Sequence, residues 1–140
     1  MSNPYLTPSA FRLYTCLGFS AVSFGIGLAP FTAPVWFGKI YGLEVATRSE
    51  VGYQQALGVR DAALGLAYLL SFFRRDHRAI DTLFISHGFI GLGDALVVWL
   101  NDGDLSVLPS HLFPGFLAIT IGLAFQYVWT DESVKLNKKE

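Results

Sequence analysis

Four apolar segments, each long enough to cross a bilayer core, divide this chain. They run from about residue 10 to 30, 51 to 73, 79 to 100 and 111 to 129. At about 1.5 Å of rise per helical residue, each covers most or all of the roughly 30 Å of hydrocarbon. None alternates charge with an apolar stripe, as the helices of a soluble bundle would. Only 15% of the residues are charged, and they cluster between the apolar runs; a soluble domain carries about 25%. The pattern predicts an all-α fold, a four-helix transmembrane up-and-down bundle in which residues 1–140 form a single integral membrane domain. A cleaved signal peptide competes for the first segment, but "MSNPYLTPSAFR" lacks a basic start and no clean small-residue cleavage site follows.

Basic residues set the expected orientation. Arg12 precedes the first span, Arg74, Arg75 and Arg78 fill the second-to-third connection, and Lys135, Lys138 and Lys139 end the chain. Only Lys39 and Arg48 fall on the other side, so both termini are expected to be cytoplasmic. Trp36, Trp99 and Trp129 stand where spans should meet headgroups. Residues 31–50 read as an interfacial segment, with Pro30 and Pro34 ending the first helix. "NDGDLSVLPS" reads as a luminal turn and the tail after Trp129 as solvated. A net charge of −1 points to no nucleic-acid partner, and the single cysteine, Cys16, excludes an internal disulfide or a cysteine-based zinc site.

Each span carries a stripe of small or polar residues at helical spacing. These are Cys16, Ser20, Ser23 and Gly27, then Gln54, Gly58, Asp61, Gly65 and Tyr68. The third and fourth spans offer His87, Gly91 and Asp94, then Gly115, Ala118, Gly122 and Gln126. Small residues let membrane helices approach closely. The second and fourth spans also share a phrase: Gly58, Gly65, Leu66, Ala67 and Tyr68 match Gly115, Gly122, Leu123, Ala124 and Phe125 at an offset of 57. These residue types are common in membrane helices, so the match carries no functional weight.

Ionisable residues inside the spans demand partners. Arg60 is fourteen residues from Arg74, about 21 Å of helix, and Asp94 is sixteen from Arg78, about 24 Å. Antiparallel neighbours would bring them, with Asp61, to one depth. An unpaired charge there costs at least about 2.5–3.5 kcal/mol, so Arg60 is expected to bridge to Asp94, Asp61 or both. The cluster either only fixes helix register or serves as an acid/base pair, one aspartate holding a proton while the other stays ionised against Arg60. Gln54, Gln55 and Tyr53 could add hydrogen bonds. His87 and Tyr68, further along the same stripes, are candidate substrate contacts. A lone His and Asp lack the ligands of a zinc site, so no metal is expected. Asp81 and His77 read as solvated, near the cytoplasmic surface.

The order "GIGLAPFTAPVWFGKIYG", "GVRDAALG" and "GFIGLGDALVVWL" resembles a mostly fungal family of small four-span membrane proteins catalogued as a domain of unknown function. The likeness covers about residues 18 to 130, and its most specific piece is the Gly-Val-Arg-Asp run with a later Gly-Asp. It implies an integral membrane protein that accompanies natural-product pathways, with no settled chemistry. The expected setting is the endoplasmic reticulum.

The chain carries no phosphate loop, dinucleotide fingerprint, nucleophile elbow or metal motif. Cofactor-free acid/base chemistry on an apolar small molecule is therefore the leading expectation, with Asp61, Asp94 and Arg60 as catalytic residues. Epoxide opening, by water or by an internal hydroxyl with ring closure, suits them. The arrangement resembles in its logic the Asp-Arg-Asp site of small soluble limonene-type epoxide hydrolases. An isomerase or pericyclic cyclase could use the same groups. Two other readings stay open: a non-catalytic membrane scaffold, and a small carrier or proton-conducting protein, for which four spans are few unless the chain forms a homo-oligomer.

Overall fold

In the computed structural model the described residues are 8–137, with side chains described over 9–127. They form α1 (Pro8–Thr32), α2 (Pro34–Tyr41), α3 (Arg48–Arg74), α4 (His77–Leu100), a 3-10 turn (Leu105–Val107) and α5 (Leu108–Asn137). No strand occurs among the described residues. α1, α3, α4 and α5 are each long and apolar enough to cross a membrane, which makes this a multi-pass membrane protein. Trp129 and the lysines at 135, 138 and 139 lie outside the described side chains.

Local chemistry starts and stops the helices. Thr47 and Glu50 form a reciprocal cap at the head of α3: the Glu50 amide donates to Thr47 Oγ1, and the Thr47 amide donates to Glu50 Oε2. α3 ends at Arg75 in the left-handed region (φ 52°), and Asp76 caps α4 by accepting from the Ala79 amide. Pro34 opens α2, and Gly42 closes it at φ 77°, where glycine is favoured. Pro30 does not end α1, contrary to expectation. It lies within the helix with its ring against Gly58, a position where neighbouring helices tolerate proline.

α1 packs along α3 and α4 along α5, and the two antiparallel pairs meet each other more loosely. Glycines make both seams. Gly27 lies against the Gly58 carbonyl and Ala62, and Gly65 against the Ser20 carbonyl and Phe24. In the other pair Gly88 lies against the Gly115 carbonyl and Ile119, and Gly122 against the Asp81 carbonyl and Ile85. Residues 58, 62 and 65 thus correspond to 115, 119 and 122, a constant offset of 57. Residues 20, 24 and 27 correspond to 81, 85 and 88, a constant offset of 61. The faint repeat in α3 and α5 therefore extends to the helices they pack on.

At the α3–α4 turn end the bundle is closed. Arg12 Nε pairs with Asp81 Oδ1 at 3.0 Å, and Nη2 donates to the Phe125 carbonyl. The guanidinium also lies 4.9 Å from the centroid of the Phe125 ring. Asp81 is only 2% exposed, so it is not the solvated residue expected, and Arg12 is buried within α1 rather than preceding it. The pairing explains both corrections, because each charge has its counter-ion on a facing helix. Tyr68, Phe84 and Phe125 pack above this pair with Phe19 against them.

The seams make a definite prediction. Leucine at Gly58 would run into Pro30 and the Gly27 carbonyl, and at Gly115 into the Gly88 carbonyl and Leu92. Gly58→Leu and Gly115→Leu should each destabilise by at least about 1–3 kcal/mol. Gly18→Leu, with nothing near the added carbon, should leave the midpoint unchanged in thermal unfolding of detergent-solubilised protein.

Candidate functional site

Arg60 and Asp61 are consecutive on α3, so their side chains leave the helix on adjoining faces. Asp61 turns into the bundle and Arg60 reaches across to α4. Its Nη1 donates to Asp94 Oδ1 at 2.7 Å and its Nη2 to Asp94 Oδ2 at 2.9 Å, a two-point grip. Its Nε donates to Asp61 Oδ1 at 3.0 Å. One guanidinium therefore serves two carboxylates, as the depth arithmetic anticipates. The side chains of Arg60, Asp61 and Asp94 are 30%, 10% and 12% exposed.

A fourth group completes the cluster. The Tyr41 hydroxyl accepts from Arg60 Nη2 at 3.1 Å and donates to Asp61 Oδ2 at 3.0 Å. It also lies 3.4 Å from Asp94 Oδ2. Tyr41 is on α2, which lies across the open end of the bundle with Phe37 and Tyr41 turned inward and Trp36, Lys39 and Ile40 outward. Phe37 and Tyr41 are four residues apart and stack with centroids at 4.6 Å. The Asp104 amide donates to the Gly42 carbonyl at 2.9 Å, and His111 Nε2 lies 3.4 Å from the Tyr41 carbonyl. These contacts pin α2 to the connection between α4 and α5. The Ser106 hydroxyl and, next, the Ser106 amide donate to Asp104 and hold its carboxyl below the usual range.

Beside the cluster lies a cavity of about 560 Å³ between the two helix pairs. Its polar margin comprises Arg60, Asp61, Asp94, Tyr41 and His111, and His87 stands deeper along α4. Ser23 and Ser110 also line it, and the rest of the wall is apolar, including Phe19, Ile90 and Phe37. Val22, Ile26, Trp36 and Ile40 line it while exposed on the outer surface, so the cavity opens sideways, toward where acyl chains would lie. Phe19 and His87, backed by the buried Phe84 and Tyr68, give the cavity a blind floor.

The other residues singled out from the sequence are placed as follows. Tyr53 is 46% exposed and does not line the cavity. Gln54 is buried, but its side-chain carbonyl has no hydrogen-bond partner, and neither it nor Gln55 bonds to the cluster. Tyr68 is fully buried behind the cavity wall and packs on His87 with ring centroids 5.9 Å apart. Tyr41 and His111 escaped sequence reasoning. A signal for His111 existed: it stands in the first turn of the fourth span, at the same end of the bundle as Asp94. No group of three or more potential metal ligands occurs among the described residues.

The chain belongs to the family described as Domain of unknown function (DUF4267), whose model matches residues 20–125. No curated protein and no solved structure matches it. The match takes in every residue of the cluster and the cavity except Phe19.

Burial, reinforced by the neighbouring Asp61 and Asp94 carboxylates, pushes the Tyr41 phenol well above its ordinary value. Above about pH 10 the unfolded chain then releases a proton that the folded protein keeps, so stability falls as pH rises. Thermal midpoints measured from about pH 8 to 11 should show this decline, with a shallower slope in Tyr41→Phe.

Proposed function

We propose that this protein is a membrane enzyme that performs cofactor-free acid/base chemistry on an apolar small molecule, with epoxide opening as the reaction. One observation carries the reading. Two carboxylates held by a single guanidinium stand at the wall of an apolar cavity that opens to the lipid side and is blind at its floor. A hydrophobic substrate would enter from the bilayer and meet charged groups only at one end, where water is scarce and electrostatic effects are strong.

In this scheme one of Asp61 and Asp94, as the acid, gives its proton to the epoxide oxygen as the carbon–oxygen bond breaks. The other, as carboxylate, takes a proton from the attacking oxygen as the new carbon–oxygen bond forms. With water as the nucleophile the product is a diol; with a hydroxyl of the same molecule it is a cyclic ether. The base then returns its proton to the acid, and no net proton is consumed. Tyr41, whose hydroxyl is 3.0 Å from Asp61 Oδ2 and 3.4 Å from Asp94 Oδ2, offers a route for that return. The fungal-type resemblance and the positive-inside rule extend the proposal to natural-product biosynthesis in the endoplasmic reticulum, with both termini cytoplasmic.

A second reading has one observation in its favour: all four carboxylate oxygens of Asp61 and Asp94 already have partners within 3.4 Å. A saturated cluster of this kind suits a lock that fixes helix register in a non-catalytic scaffold. The experiment that separates the two uses wild-type protein and the Asp61→Asn and Asp94→Asn variants in nanodiscs. Epoxides are supplied in 18O-water, with folding followed in parallel. The enzyme reading expects labelled diol, or unlabelled cyclic ether from hydroxy-epoxides, from wild type. It also expects a loss of about 10²–10⁴-fold in at least one variant that remains folded. Folded variants with undiminished turnover, or wild type inert across the panel, would leave the scaffold.

A further inference from the structure

We infer that His87 is a second recognition point in the cavity and selects elongated substrates that carry a hydroxyl or carbonyl set back along the chain from the reacting carbon. The inference rests on the acid/base reading of the carboxylate cluster and adds to it a length and a second polar group. His87 lines the cavity two helical turns from Asp94 on α4, and seven residues of helix span about 10 Å.

His87 forms no hydrogen bond with any described residue. Its Nδ1 is shut off from solvent without a partner, which leaves Nε2 as the ring nitrogen open to the cavity. Nδ1 stays enclosed whatever the cavity holds, whereas Nε2 faces an apolar space with no protein partner, and a ligand donor or acceptor there would recover free energy. The ring is also held in place. Phe19 meets it edge-on with centroids at 5.6 Å, and Tyr68 packs against it from behind. Such a ring cannot readily swing to another partner, so what satisfies Nε2 must come to it. Between His87 and the cluster the lining residues of α4 are Ile90 and Gly91, and those of α1 are Ser23 and Ile26. Apart from the Ser23 hydroxyl that stretch is apolar and suits a mainly hydrocarbon chain. A neutral imidazole nitrogen donates in one tautomer and accepts in the other, so it fits a hydroxyl in either sense and a carbonyl as donor.

The test is a ladder of 1,2-epoxyalkanes of increasing length, each made with and without a terminal hydroxyl. Binding is read from thermal stabilisation in detergent and turnover from product formation in nanodiscs. One chain length should show about tenfold tighter binding of the hydroxylated member, the size of one good hydrogen bond. That preference should vanish in His87→Phe and persist in part in His87→Gln. Absence of any length optimum in wild type, or an undiminished hydroxyl preference in folded His87→Phe, overturns the assignment. Should His87→Phe fail to fold, the wild-type ladder and His87→Gln decide it. Wild type that shows the binding preference but opens no epoxide would sustain His87 and remove the enzyme reading. Turnover without the preference would do the reverse.

Discussion

An arginine at bilayer depth has to be neutralised where it stands, because neither water nor a headgroup can reach it cheaply. Arg60 meets that demand by drawing three elements together. Asp61 comes from its own helix, Asp94 from α4 and Tyr41 from α2. The loosely packed faces of the two helix pairs therefore have one strong point of contact near the α2 end. With the pairs joined at Arg60 and again at Arg12 and Asp81, the space between is held open and is left to a cavity.

The division of labour in the fold follows from this. Glycine seams supply the close packing within each pair, where no hydrophobic driving force distinguishes a neighbouring helix from lipid. Polar side chains supply the specificity between pairs. The repeat in the seams is not echoed in the charges: residues 60 and 61 correspond to Leu117 and Ala118, and residue 94 to Ala33. Two similar hairpins thus enclose a cavity whose charged groups lie at one end, with His87 set apart from them. A symmetrical pore would distribute them differently.

The spans and the Arg60 cluster were legible in the sequence because depth along a helix is a matter of counting. Arg74 and Arg78 mark the turn, and a common rise per residue brings Arg60 and Asp94 level. The same arithmetic says nothing about residues 31–50, where the chain turns into the short helix α2, so Tyr41 had no depth from which to be placed. Arg12 and Asp81 were misread for a related reason. A charge near the end of an apolar run looks solvated until a counter-ion on a facing helix is known. Pro30 failed as a stop signal because the rule for soluble helices weakens where a glycine on the next helix receives the ring. Tyr53 and Gln54 share the neighbourhood of the cluster in sequence but leave α3 too far from it, one outward and one into a different contact layer.

The order in which the partners of Arg60 occur along the chain bears on how the protein is made. Tyr41 and Asp61 are translated before or immediately after Arg60, whereas Asp94 emerges more than thirty residues later. A nascent α3 entering the bilayer can thus hide its guanidinium within the first hairpin, beside Asp61 and under α2, before α4 exists. Asp94 then completes the neutralisation through the two-point grip that joins the second hairpin to the first. In the finished bundle that one guanidinium still carries both connections, one within the first hairpin and one across to the second.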